Sequence, residues 1–216
     1  MKCIPHLIKF ISMMLMMCVL ISCASKTASQ KSGRQVDGFS AASNQSKFFR
    51  KKSSQRKIDE NTHKKYQNAL VQLKSGDLLH AEKLFKEVSI KYPDMAGPHI
   101  NLGIISVREA RWQDAEKHFR EASAYSPNNP EVYNYLGVTY RQRGKFAEAK
   151  AMYLEAIQKD ENFASAYLNL GILLDLYLSD YVLAKKYYQQ YQAINPSDQN
   201  VKSWLLDLDQ RIQASN

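Results

Sequence analysis

Three cysteines could carry chemistry in this sequence, and all of them lie near its start. Cys3, Cys18 and Cys23 precede a stretch of 193 residues that contains none. Cysteines placed in this way could form a redox pair, supply part of a metal site, or mark the point at which another group is attached to the chain. The surrounding residues have to decide between these three roles.

Histidines and carboxylates are the other residues that could do chemistry, and their spacing argues against it. His63, His80, His99 and His118 fall in separate predicted elements, and no pair has the i, i+4 spacing of a helical metal site. Carboxylates lie along polar helix faces beside Lys or Arg, as in the run DAEKHFRE. The sequence also lacks a Gly-rich phosphate loop, a G-x-S-x-G elbow and an H-E-x-x-H motif. We therefore predict a non-enzyme with no metal, no cofactor and no small-molecule substrate.

The residues before Cys23 have the organisation of a signal peptide. Lys2 and Lys9 precede an apolar run of 12 residues, Phe10 to Ile21. Twelve helical residues rise about 18 Å, which is short of the roughly 30 Å hydrocarbon core of a bilayer. The length favours the apolar region of a signal peptide over a transmembrane helix, so residues 1–22 are predicted to be one.

The four residues Leu20-Ile21-Ser22-Cys23 resemble the lipobox of bacterial lipoproteins. The resemblance implies that Cys23 carries the lipid (palmitate among its acyl chains) and becomes the new N-terminus. Cys3 and Cys18 would then leave with the signal peptide, and no disulfide, cysteine metal site or cysteine nucleophile would remain. Ala24, in a Gram-negative cell, would imply an outer-membrane protein facing the periplasm. Ordinary cleavage beside an incidental cysteine and a permanent N-terminal anchor remain the alternatives.

The net charge of +9 belongs to a tail and not to the rest of the chain. Residues 24–58 carry a net charge of +8, whereas residues 59–216 carry −1. A nucleic-acid-binding domain would be expected to have its basic stripe on the fold itself. We therefore predict no nucleic-acid partner.

Residues 23–61 are predicted to be a lipidated cysteine followed by a disordered basic tether. They are rich in Ser, Lys, Gln and Arg, and their few large apolar residues follow no period. The densest part is KFFRKKSSQRK, residues 47–57. It is either a solvated linker or a second, electrostatic contact with anionic lipid headgroups.

The rest of the chain is built from a repeat of 34 residues, four copies of which align in register. Position 8 is small in every copy, as in Gly103 and Gly137, and position 24 is aromatic, as in Phe119 and Tyr153. We expect the small residues at positions 8 and 20 to let two helix backbones approach closely. The copies occupy residues 62–95, 96–129, 130–163 and 164–198, and residues 199–216 form a capping helix and tail.

These repeats resemble the tetratricopeptide repeat, a helix–turn–helix unit. The resemblance predicts an all-α, right-handed solenoid of four helix pairs closed by a C-terminal capping helix. Gly76 and Gly144 fit the turns within a pair, and Asn129-Pro130 fits a helix start. The fourth copy has one extra residue near Ser179, which should change its turn.

In this family the first helix of each unit lines a concave groove that binds proteins. Carried over to this chain, the resemblance implies a groove with an apolar centre and a basic border. Its predicted partner-binding residues are Tyr66, Leu70, Lys74, Ile100, Ile104, Val107, Arg108, Asn134, Val138, Arg141, Leu168 and Ile172. The clamp that some members use for a terminal carboxylate has no counterpart, because Tyr66, Leu70 and Tyr135 stand where polar groups would be needed.

Taken together, the sequence predicts a membrane-anchored scaffold that binds a protein segment in this groove and supports assembly of a cell-envelope complex. Its organisation resembles two kinds of bacterial repeat lipoprotein. One is the pilotin of type IV pilus assembly, which helps a secretin insert, and the other is an adaptor of peptidoglycan-processing enzymes. The alternative is a regulator or accessory subunit of such enzymes, or of an envelope transport or energy-transducing complex, docked through the convex face.

Overall fold

The computed structural model describes residues 57–214, in which nine α-helices and no strands occur. The first eight helices form four consecutive pairs, and the ninth packs against the eighth. The predicted all-α solenoid of four helix pairs with a C-terminal capping helix is confirmed. The helices are α1 (Glu60–Ser75), α2 (Leu78–Lys91), α3 (Ala96–Arg108), α4 (Trp112–Tyr125), α5 (Pro130–Gln142), α6 (Phe146–Lys159), α7 (Ala164–Leu176), α8 (Tyr181–Ile194) and α9 (Gln199–Ala214).

The first helix of each pair lies on the inner side of the stack. Helix α5 contacts α3 and α7 directly, whereas the second helices α2, α4, α6 and α8 make no comparable contacts with one another in the described part of the chain. Rows of helices that are closer together on one side curve the stack towards that side. The faces of α1, α3, α5 and α7 therefore line its concave surface.

The turn within each pair uses a left-handed backbone position. Gly76 has φ +89° and Gly144 has φ +71°, as the sequence predicted for these two turns. The equivalent residue of the second pair is Ala110, at φ +54°, and in the longer fourth pair it is Ser179, at φ +53°. Residues with a Cβ are strained in this region, so the second and fourth turns adopt the same geometry at a conformational cost.

Glycine at repeat position 8 makes room for an aromatic ring. The sequence pattern instead predicted that it would let a second helix backbone approach. A Cβ added to Gly137 would lie 2.4 Å from the ring of Tyr153, which is fully buried. Such a distance is far inside van der Waals contact, so the ring occupies the volume of the missing side chain. The same relation holds for Gly103 with Phe119 and for Gly171 with Tyr188.

The first helix begins earlier than the predicted repeat. Asp59 caps α1 by accepting a hydrogen bond from the Thr62 backbone N–H at 3.0 Å, so Glu60 and Asn61 are helical although they were placed in the tether. The Asp59 carboxylate also accepts a hydrogen bond from the Tyr92 hydroxyl at 2.8 Å and lies 2.8 Å from the ammonium of Lys91. These contacts join the start of α1 to the end of α2.

Helix α9 closes the C-terminal end of the stack, as predicted. Val201, Leu205 and Leu208 are buried against the preceding pair, whereas Trp204 remains 39% exposed. The Arg211 guanidinium lies 2.8 Å from the Asp175 carboxylate of α7, which is 6% exposed. A second ion pair joins Lys185 of α8 to Asp209 of α9, so the cap is held by apolar packing and by two ion pairs.

Candidate functional site

The twelve residues predicted to bind a partner all lie on the four inner helices, and we call this surface the groove. Its apolar members are half-buried, and they pack against the core while keeping part of their surface exposed. A surface of this kind can gain apolar contacts with a partner without unfolding. These members are Tyr66 and Leu70 on α1, Ile100, Ile104 and Val107 on α3, Val138 on α5, and Leu168 and Ile172 on α7.

Hydrogen bonds between successive inner helices fix the spacing of the groove wall. The Asn101 amide donates to the Tyr66 hydroxyl at 3.1 Å, and the Asn169 amide donates to the Asn134 amide oxygen at 2.9 Å. Both pairs are separated by 35 residues, so the same contact joins α1 to α3 and α5 to α7. Asn134 is only 7% exposed and serves this link, so the structure gives it a positioning role within the wall.

Tyr66 is held firmly at the first end of the groove. Its ring packs edge-on against Phe85, with 5.5 Å between ring centroids, and its hydroxyl lies where a side chain at Gly97 would otherwise stand. Burial raises the pKa of the Tyr66 hydroxyl. The hydroxyl is therefore a neutral hydrogen-bonding group at physiological pH.

Three basic side chains border the groove, and none is neutralised within the described residues. Lys74 is exposed, and the Arg108 guanidinium donates to the Leu73 carbonyl at 3.1 Å. The Arg141 guanidinium lies 5.9 Å from the centroid of the Tyr177 ring, and its Nε is buried without a hydrogen-bond partner. No ion pair of residues 57–214 includes Lys74, Arg108 or Arg141, which leaves the groove border electropositive.

Two clusters were missed by the sequence reasoning. His99 and His118, which it placed in separate elements, converge on Glu121. Repeat positions 4 and 23 face each other across a helix pair, and this geometry could have signalled the cluster.

The second cluster is an exposed apolar surface at the long fourth turn, formed by Leu176, Tyr177, Leu178 and Val182. The extra residue was predicted there, but the exposure of its neighbours was not.

The N-terminal predictions fall on a part of the chain that the structure does not describe. The predicted signal peptide of residues 1–22, the predicted lipidation of Cys23 and the predicted basic tether up to residue 56 all lie outside the described residues. Among the helices of residues 57–214, none has both the length and the apolarity required to cross a membrane.

The central part of the chain is similar to a known repeat family. A family model described as tetratricopeptide repeat matches residues 106–171, which run from the end of α3 into α7. Residues 106–171 are identified as tetratricopeptide repeats. The match covers the two central repeats most fully, and the helix pairs on both sides continue the same architecture. A search of curated proteins found no match.

Solved structures of tetratricopeptide-repeat proteins share the fold. A structure from the functional characterization of Pseudomonas aeruginosa pilF is similar with a TM-score of 0.65 and 24% identity, covering 72% of this chain and 71% of that one. MamA from Desulfovibrio magneticus RS-1 gives a TM-score of 0.58 and 17% identity, over 64% and 77% of the two chains. The first repeat domain of Spaghetti (RPAP3), bound to the HSP90 peptide SRMEEVD, gives 0.52 and 19%, over 55% and 95%. At these identities the similarity shows the fold alone.

Proposed function

We propose that this chain is a membrane-anchored, non-enzymatic scaffold that binds a segment of another protein in the groove and supports assembly of a cell-envelope complex. The observation that carries the proposal is a row of eight half-buried apolar side chains on the inner helices, bordered by basic groups without acidic partners. Protein binding is the general role of this repeat fold, and the peptide on Spaghetti (RPAP3) illustrates it for a similar structure.

The groove favours a helical or extended segment with two or three apolar anchors and an acidic flank. Ile104 and Val138, on adjacent inner helices, offer apolar contacts at its centre. Arg141 and Arg108 stand beside them without carboxylate partners, so an acidic residue of the ligand would gain a charge-assisted hydrogen bond.

The lipobox-like sequence at Leu20–Cys23 supports the membrane anchoring in this proposal. A lipid on Cys23 would anchor the chain to a membrane. In a Gram-negative cell this would be the outer membrane, with the repeats facing the periplasm, and residues 24–56 would separate the repeats from the bilayer. Pilus or secretin assembly is the class of complex that the organisation favours. Regulation of peptidoglycan-processing enzymes, or of an envelope transport or energy-transducing complex, is the alternative.

The groove is tested by crosslinking from defined positions. A photoreactive amino acid replaces Ile104 in cells, and mass spectrometry identifies the segment to which it crosslinks. A labelled peptide of that segment is then titrated with the purified chain by fluorescence anisotropy. We expect the double change Ile104→Glu and Val138→Glu to weaken binding at least tenfold, because it places two charges against the apolar anchors of the ligand.

The matched control is the pair Ile90→Glu and Val182→Glu, which introduces the same charge at apolar residues 81% and 69% exposed on second helices. Circular dichroism establishes that both double variants are folded. Equal affinity of the Ile104/Val138 variant and the unchanged chain would contradict the groove proposal. A loss caused only by the control pair would instead place docking on the convex face.

Anchoring has a separate test. Metabolic labelling with palmitate should mark the chain, the label should disappear with Cys23→Ala, and it should persist with Cys18→Ala. Label retained by the Cys23→Ala protein would contradict lipidation at this residue. The result is independent of the groove, because Cys23 lies outside the repeats.

A further inference from the structure

Three electron-pair donors meet between α3 and α4 in the second repeat. The Glu121 Oε2 atom lies 3.0 Å from His99 Nδ1 and 3.4 Å from His118 Nδ1, and the three ligand atoms are within 4.8 Å of one another. His99 is 8% exposed, and the side chain of His118 is 16% exposed. Neither Nδ1 atom forms a hydrogen bond of acceptable geometry, although both are buried.

The surroundings of His99 fix the atom that it presents to this cluster. Its Nε2 lies 3.1 Å from the Pro93 carbonyl oxygen, which can only accept a hydrogen bond, so Nε2 carries the proton. His99 therefore directs Nδ1 at the Glu121 carboxylate, 3.0 Å away. This contact requires a positive centre between the two atoms, which either a proton on Nδ1 or a bound cation supplies.

We propose that His99 Nδ1, His118 Nδ1 and Glu121 Oε2 bind a divalent transition-metal ion of the zinc class. Zinc bonds of roughly 2.0–2.1 Å at a tetrahedral angle separate two ligand atoms by about 3.3 Å. The two distances from Glu121 Oε2 to the imidazole nitrogens, 3.0 and 3.4 Å, match this value, and the two Nδ1 atoms lie within 4.8 Å of each other. Two imidazoles and one carboxylate are a ligand set that zinc uses in proteins. The three protein ligands leave the fourth position for water.

Other groups around the cluster fit the binding of a metal. The hydrogen bond from His99 to the Pro93 carbonyl is the outer contact that commonly orients a metal-bound imidazole. Tyr125 packs beside His99, with 5.7 Å between ring centroids, and shields it from solvent.

The ion would join three separate parts of the second repeat. His99 lies in the first turn of α3, His118 and Glu121 lie on α4, and Pro93 belongs to the loop that arrives from the first repeat. The cluster is separate from the groove residues, so the inference holds whether or not the groove binds a protein.

Zinc titration of the purified full-length chain tests the site. Cysteines are first blocked with iodoacetamide, because Cys3, Cys18 and Cys23 could bind zinc themselves. Equilibrium dialysis against ZnCl2 then gives the number of bound ions, and competition with a chromophoric chelator gives the affinity. We expect one ion per chain at this site and a rise in the melting temperature on adding zinc.

His118→Gln and Glu121→Gln should each weaken zinc binding at least tenfold and abolish the rise in melting temperature. The matched control is His80→Ala, since His80 Nδ1 lies 2.6 Å from Asp77 Oδ2 and no third ligand from residues 57–214 joins this pair. It should bind zinc like the unchanged chain. Glu121→Gln keeps the shape of the side chain, so it also serves if the histidine variant is poorly folded. Zinc binding that is absent from the unchanged chain, or equal in Glu121→Gln, would overturn the proposal.

Discussion

The left-handed turn positions of this fold suit glycine and strain residues that have a Cβ. The four left-handed turn positions are occupied by Gly76, Ala110, Gly144 and Ser179, all with φ between +53° and +89°. A Cβ added to Gly76 or Gly144 would meet nothing within 4 Å. The difference between glycine and alanine at these sites is therefore conformational and not steric.

Ala110→Gly should stabilise the protein by about 0.5–1 kcal/mol. The substitution relieves the left-handed strain of alanine, and the greater freedom of glycine in the unfolded chain offsets part of the gain. Gly144→Ala is the matched control and should destabilise by about 1 kcal/mol. Urea unfolding followed by circular dichroism measures both changes. The same sign for the two variants would show that the turns are governed by other contacts.

Asp59 should make stability depend on pH in acid. Its ion pair with Lys91, together with hydrogen bonds from Tyr92 and Thr62, holds the pKa of the carboxyl well below its ordinary value of 3.8. A lowered folded-state pKa means that the stabilisation is complete above the unfolded pKa and is lost as the pH falls below it. Asp59→Asn should therefore lower the melting temperature at neutral pH, and its difference from the unchanged chain should shrink below pH 3.8.

Asp94→Asn is the control for this measurement, because Asp94 is an exposed residue of the loop after α2. It should change the melting temperature little at any pH. A difference between Asp59→Asn and the unchanged chain that stays constant through the acid range would contradict the role of the Asp59 charge.

Pairs of helices depend on contacts between a ring and a glycine. Gly137→Ala should destabilise the protein by about 2 kcal/mol, because its Cβ would stand 2.4 Å from the buried Tyr153 ring. The loss should be smaller when the alanine is introduced into a Tyr153→Leu background, where the side chain is smaller. A double-mutant cycle by urea unfolding measures this coupling. Additive effects would mean that the ring and the glycine do not compete for one volume.

The cap helix offers a second test at this scale. Arg211→Met should destabilise by about 2 kcal/mol, since it leaves the Asp175 carboxylate buried without its cation. The value is below that of a fully buried pair because the Arg211 side chain is 34% exposed. Asp175→Asn in the same chain should recover part of the loss. Stability unchanged by Arg211→Met would show that the Arg211–Asp175 ion pair does not help to hold α9.

The helices were predictable from sequence because the recurring small and aromatic positions define both the period and the helix pairs. The groove residues fall on the inner helices for the same reason, although their binding role stays a prediction. Contacts between residues of different repeats or of different helices were harder to predict from the sequence. Asn134 looked like a groove residue, and only the approach of Asn169, 35 residues later, shows why it is buried. The meeting of His99 and His118 likewise depends on how two helix faces oppose each other.

At the scale of the whole molecule, the buried core of the described residues falls into two clusters of unequal size. A cluster of six residues joins the first repeat to α3, and one of sixteen runs from α4 to the cap. Stacked repeats are stabilised by contacts between neighbouring repeats. A terminal repeat with a small core therefore unfolds locally more easily than the central repeats of the stack.

Hydrogen exchange should therefore be at least tenfold faster in α1 and α2 than in α5 to α7. The difference corresponds to about 1.4 kcal/mol in the free energy of local opening. Mass spectrometry of peptic fragments measures it on the native protein, and fragments of α8 and α9 serve as the internal control for the opposite end. Uniform protection across the nine helices would mean that the two clusters open together.

The fit between a position-8 glycine and a ring in the same repeat has a consequence for how this sequence can change over time. Gly103, Gly137 and Gly171 each leave room for one partner, Phe119, Tyr153 and Tyr188 respectively. A larger residue at the first position survives only if the second becomes smaller, so the two should vary together in descendants of this chain. Recombination that exchanges one helix of a pair would separate them, whereas duplication of a whole repeat keeps them matched.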